Sequence, residues 1–273
     1  MGEPMQTQIA NKVSMVATAV CPVKPRTWCA WGERLCKALA RSYRDRYTRL
    51  KLSRTLLMSA ETRRLPLFPL NVVLFPEASI PLQIFEERYK TMLQDCLDAD
   101  SLFGVVLIKS GNEVGEPAEP YRVGTVAKIV QVTDAGQGRL FVSATGGRRF
   151  RILEIVQKQP YIAAEVDLLS EEADSDIPLP DLAVLRATTV RYTRTVVGLG
   201  GGWLTRLPMP SEPTRLSYFI PKLLQVELPH KQALLEMPGA AMRLRAEQSI
   251  LETQYKELKQ RLTRELLGKY SRS

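Results

Sequence analysis

Few residues in this 273-residue chain have a type and spacing that could do chemistry. His230 is the single histidine, set between Pro229 and Lys231 at an expected helix start. One imidazole cannot build a histidine-rich metal site, and a surface or capping role fits it better than catalysis. Glu86 and Glu87 are adjacent on an expected helix, so their carboxylates diverge instead of forming an acid–base pair. Cys96 lies on the apolar stripe of that helix with no histidine near it in sequence to act as a base, which reads as a small core residue. Gly198, Gly200, Gly201 and Gly202 imitate a phosphate loop, yet no Gly-Lys-Ser/Thr follows and no strand precedes them. They read as a loop that ends a helix. No catalytic residue, cofactor or metal site is therefore expected.

What remains is binding. After Gly147 the chain reads Arg148-Arg149-Phe150-Arg151-Ile152. On a strand, Arg149 and Arg151 share one face and Phe150 and Ile152 the other. Two guanidinium groups on an exposed strand can hold acidic or peptide groups, since each offers a fork of N–H donors. The competing reading is a solvated strand face. These two arginines are the candidate substrate-binding residues.

The net charge of +9 is concentrated in one place. Residues 1–64 hold 13 Lys+Arg against 4 Asp+Glu, and the rest of the chain holds 25 of each. A neutral body lacks the overall field that draws a protein to nucleic acid, so a nucleic-acid partner is not expected. Three of the four cysteines, Cys21, Cys29 and Cys36, lie in the basic leader with seven and six residues between them, which matches no usual zinc spacing. With Cys96 alone in the body, disulfides cannot hold it together, and a reducing cytoplasm is the simplest setting. The leader resembles a secretory signal weakly, through Lys12, Val13 to Val20 and Ala17-Thr18-Ala19. A transit peptide and a basic arm running from Arg41 to Arg54 are further readings. The preferred one is sequence upstream of a start at Met58. No run of 18 apolar residues is present, so no helical membrane span is expected.

The elements that must position any site begin at Leu65. Leu65 to Leu70 and Val72 to Phe75 are apolar and β-prone but punctuated by proline, which places them at sheet edges or bends. Tyr89, Met92, Leu93, Cys96 and Leu97 make the stripe of a helix over about Glu86 to Ala99. β signals follow at Phe103 to Ile108, Thr125 to Val132, Leu140 to Ala144, Arg149 to Ile155 and Tyr161 to Leu169, with a turn at 134–138. Short strands with frequent turns and one helix predict a closed or nearly closed β-barrel. Ser170 to Pro180 is acidic, proline-bearing and reads as a linker. A helix capped by Asp181 then runs to the glycine cluster. Leu216, Phe219, Ile220, Leu223 and Leu224 mark another, which Pro221 should kink or split. From Ala240 a long closing helix carries Leu244, Leu251, Tyr255 and Leu258.

The opening LPLFPLNVVLFPEASIPLQIFEERYKTML resembles the start of the Lon protease N-terminal substrate-binding domain. FGVVLI, VGTVAKIVQV, GRLFVSATGGRRFRILEI and PYIAAEVDLL follow in that family's order, and KQALLEMPGAAMRLRAEQSIL resembles the domain's end. The resemblance spans residues 65–267. It implies an α+β fold: a PUA-like β-barrel with one inserted helix over 65–170, then an α-helical subdomain over 178–268 ending in a long helix. It also implies a stand-alone, non-catalytic form lacking the ATPase and peptidase domains. Its partners would be unfolded or degron-bearing polypeptides and a protease, with a homodimer through the C-terminal helix as a further expectation. RNA binding by the barrel is the rival reading, and peptidase activity the remotest.

Overall fold

The computed structural model describes residues 61–112, 118–171 and 179–270, so the readings of the leader up to residue 60 lie outside it. β1 (Thr62–Leu70) runs antiparallel to β7 (Ile162–Leu168), with Leu65 opposite Ala164. β7 pairs with the long β6 (Arg139–Gln157), β6 with β5 (Val123–Gly136), and β5 with β3 (Leu102–Ser110). β3 returns to β1 in parallel, Phe68 opposite Val105, which closes a five-stranded barrel. β2 (Ser79–Ile84) adds to β6, and the short β4 (Glu119–Pro120) to β3.

Proline placement follows from hydrogen bonding. β1 is not an edge strand, yet Pro66 precedes its pairing with β3 and Pro69 follows its pairing with β7. Each proline thus has a side without a partner strand, toward which its missing N–H can point. Pro81 sits on β2, which among the described residues pairs with β6 alone.

Two apolar layers use the two sheet faces. Leu65, Leu67, Val106, Val126, Phe150, Ile152 and Val166 meet in the barrel interior. On the other face Phe68, Val105, Ala127, Val142 and Ala144 pack against α1 (Glu87–Asp98), which supplies Tyr89, Met92, Leu93 and Cys96. Successive residues such as Val105 and Val106 therefore serve different layers, as the period of two requires. Leu97, expected on the helix stripe, is exposed instead. Phe150 lies so close to β3 and β5 that a Cβ on Gly104 or Gly124 would meet its ring at 2.7 Å.

By compactness the chain forms two units. The barrel unit takes in the described residues up to Pro180 and Met209–Glu247, which include α3 (Pro213–Leu223), α4 (Leu228–Glu236) and the start of α5 (Ala240–Tyr270). Of the kink or split expected at Pro221, α3 corrects the split: it is one helix, and it ends two residues after the proline. Pro221 takes only the i+4 donor of the Ser217 carbonyl away, and the helix has just two residues left to run beyond it. Glu212 caps its start, accepting from the N–H groups of Thr214 and Arg215 at 2.9 and 2.8 Å. The other unit holds Asp181–Pro208 and the chain from Gln248 onward. In it α2 (Leu182–Leu199) is capped by Asp181, whose Oδ1 accepts from Ala183 N at 2.8 Å, and ends at the glycine cluster with Gly201 at φ 74°. Among the described residues no helix is long and apolar enough to cross a membrane.

Candidate functional site

The two sequence-predicted arginines have different surroundings. Arg151 is exposed on β6, opposite Asp167 of β7. Arg149 is 2% exposed, which corrects the expectation of a solvated pair. It does share a face with Arg151, but the turn between α4 and α5 covers it. Its Nη1 donates to the carbonyls of Leu235 (2.8 Å) and Met237 (2.5 Å), and its Nη2 to Pro238 O (2.9 Å) and Glu171 Oε1 (2.9 Å). Alternation on a strand tells which face a side chain takes, not what covers that face.

A second arginine, unremarked in the sequence, joins it. Arg243 of α5 is fully buried and donates from Nη2 to Glu171 Oε2 at 2.6 Å, from Nη1 to Met237 O at 2.8 Å and from Nε to Ser217 Oγ at 3.0 Å. Its guanidinium carbon stands 4.1 Å from the ring centroid of Tyr218, whose hydroxyl donates to Glu171 Oε1. One carboxylate is thus held by two guanidinium groups and a phenol. Burial pushes the Arg149 guanidinium below its ordinary value and Arg243 acts the same way, while Tyr218 and Glu171 oppose them. Burial likewise raises the Tyr218 phenol. The clue in the sequence was Arg243 itself, a charge beside the buried Leu244 on the closing helix.

Among the described strands, the exposed large apolar side chains lie on β5 and β6. β3 pairs with β5 only from Thr125 to Lys128, and Ile129 N–H then bonds Ser101 O at 2.9 Å. Among the described residues no strand takes the side of β5 away from β6 over Val130 to Asp134. A register shift between Ile129 and Gln131 leaves Val130 66% exposed, and Val132 and Phe141 are also open to solvent. Leu153, Ile155 and Val156 are exposed farther along β6, where its register with β7 shifts twice. An open strand edge flanked by valines can take another extended chain by main-chain hydrogen bonds.

The remaining candidates behave as structural groups. Glu86 bonds Arg88 at 3.0 Å while Glu87 bonds Lys90 at 2.7 Å, so the two acids diverge. Cys96 is buried, and burial, with Asp100 and Asp95 nearby, pushes its thiol up to about 12. His230 lies in the first turn of α4, half-buried. Among the described residues no cluster of His, Cys, Asp and Glu could hold a metal ion.

Comparison with known proteins decides the family. Residues 64–253 match the ATP-dependent protease La (LON) substrate-binding domain. The chain belongs to that family. It is 28% identical over 205 residues to Lon protease 2 of Myxococcus xanthus, covering 71% of this chain and 24% of that protein. With Lon protease 2 of Sorangium cellulosum it is 31% identical over 144 residues, 52% of this chain and 18% of that one. The chain spans about a quarter or less of the length of these relatives. Among solved structures it is similar to a Lon N-terminal domain protein from Xanthomonas campestris, with TM-score 0.52 and 28% identity over 67% of this chain and 95% of that one. The PUA-like barrel with its inserted helix and following helices is thus the Lon N-terminal fold.

Proposed function

We propose that this Lon-type domain binds unfolded or degron-bearing polypeptide in extended form, without ATPase or peptidase chemistry of its own, and acts as an adaptor that presents it to a protease. The observation that supports this reading is the open edge of β5 from Val130 to Asp134, with Val130 and Val132 exposed beside it. An extended chain added there satisfies the strand's outward N–H and C=O groups. The exposed valines then contact its side chains, and they favour apolar over charged sequence. A folded protein hides its backbone in its own structure, so selection for unfolded chains follows from the hydrogen bonding. The family match to a substrate-binding domain supports the same reading.

The test is titration of the full chain with a permanently unfolded protein in the absence of ATP, beside a Val130→Asp/Val132→Asp double variant. Binding that weakens about tenfold or more in the variant, with the unfolded protein left uncleaved, is expected. Absence of binding to several unfolded proteins would sink the reading, and cleavage would sink its non-catalytic part. For the adaptor role, tagged chain should retrieve a protease from lysate whether or not RNase is added. Light scattering of the purified chain tests the homodimer through α5.

A further inference from the structure

We propose that Arg149, Arg243 and Tyr218 form an exchangeable carboxylate receptor, filled by Glu171 in this structure and open to an acidic side chain or chain terminus of a bound polypeptide. The proposal rests on the polypeptide-binding reading for its ligand, but its chemistry is visible independently.

The receptor is assembled without help from the carboxylate. Arg149 is anchored by the carbonyls of Leu235, Met237 and Pro238, and Arg243 by Met237 O and Ser217 Oγ, with Arg243 stacked on the Tyr218 ring. Remove Glu171 and each guanidinium keeps its position, with one Nη directed at the vacated place. Fixed donors of this kind bind a carboxylate without first being ordered. Glu171 brings one negative charge to two buried positive ones. Glu247 of α5 also lies within reach of the Arg243 charge, but burial holds its carboxyl well above the ordinary range. Buried guanidinium groups stripped of their counter-charge are costly, so the place must be filled by some anion.

Glu171 is the removable member. The β7 ladder ends at Leu168, and Leu169 N–H bonds Arg149 O at 2.8 Å. Among the described residues neither Ser170 nor Glu171 makes a backbone–backbone hydrogen bond, and the Glu171 side chain fastens the chain here. The Glu171 side chain is 33% exposed while both arginines are 2% or less, which places the entrance on the linker's side. A tethered ligand competes at an effective concentration of about a millimolar or more, so free carboxylates displace it poorly. A polypeptide already held on the same unit carries its own acid at comparable local concentration and exchanges with it.

The experiment compares wild-type chain with Glu171→Ala and Glu171→Gln by fluorescence anisotropy, using three unstructured peptides. One carries glutamates and an amidated end, one a free C-terminal carboxylate and no acidic side chain, and one is amidated and neutral. Removing the internal competitor should tighten an acid-bearing peptide by about tenfold or more and leave the neutral one unchanged. The first two peptides tell a side chain from a terminus. Equal affinity of acid-bearing peptides for wild type and both variants, with neutral peptide still bound, overturns the receptor and leaves the polypeptide reading standing. A second measurement does not need peptide binding at all. Formate should raise the melting temperature of Glu171→Ala saturably, beyond chloride of equal ionic strength, and do so far less for wild type. No formate-specific rise overturns the receptor even if every peptide fails to bind.

Discussion

Glu247 gives a sharp test of the packing around α5. It is fully buried, and neither carboxylate oxygen reaches a protein donor among the described residues. Burial raises its pKa well above the ordinary carboxylate range, and the charge of Arg243 opposes this only in part. An acid whose pKa is higher folded than unfolded binds more protons in the native state between the two values. Stability therefore falls as pH rises from about 4.5 toward the folded pKa, at up to about 1.4 kcal/mol per pH unit. Glu247→Leu removes the ionisable group and its unmet hydrogen-bonding demand. At neutral pH it should stabilise the chain by about 1–3 kcal/mol, the cost of a buried polar group without partners. The assay is urea unfolding of both proteins at a series of pH values from 5 to 8. The difference in stability should widen in favour of the variant as pH rises from 5 toward the folded pKa, and level off beyond it. Two parallel curves, or a variant less stable at pH 8 than at pH 5 relative to wild type, would refute the reasoning.

Other consequences are equally measurable. Arg149→Met leaves the Leu235 and Pro238 carbonyls at the α4–α5 turn without this donor, Met237 O with Arg243 alone, and Glu171 short of one partner, and should cost about 3–5 kcal/mol in urea unfolding, whereas Arg151→Ala, exposed, should stay within about 0.5 kcal/mol. Gly124→Ala places a Cβ 2.5 Å from Val105 O and against the Phe150 ring, so a loss of about 1–3 kcal/mol is expected in the same assay. The Cys96 thiol, pushed up to about 12 and buried, should resist a thiol reagent at pH 8 in the native protein and react once it is unfolded.

The fold was legible because its signals are local. The apolar stripe of α1, the Asp181 cap and the alternation of β7 depend on residues within a few positions of one another, and each element formed close to where periodicity put it. Where a local rule met tertiary structure, it misjudged. Pro66 and Pro69 argued for an edge strand, yet β1 closes the barrel by switching partners between them, a change of neighbour that no short-range pattern encodes. Pro221 argued for a broken helix because sequence does not say that α3 stops two residues later.

The carboxylate cluster was hidden for a different reason. Arg149, Glu171, Tyr218 and Arg243 come from a strand, a linker and two helices, and the separations of 22, 47 and 72 positions between bonded partners leave no spacing to read. Each had an unremarkable local meaning: a charged residue on a strand, an acid in an acidic linker, an aromatic on a helix, a charge on a long amphipathic helix. Burial reverses the value of such groups, because an arginine that adds little at the surface becomes a fixed donor once water is excluded. The two exposed valines of β5 follow the opposite logic. In the sequence they belong to an apolar β run, and the register shift at Ile129–Gln131 together with the early end of β3 pairing leaves them outside. The residues proposed to meet a polypeptide are thus those whose surroundings depart from the habit of their type: an arginine that is buried, and valines that are exposed.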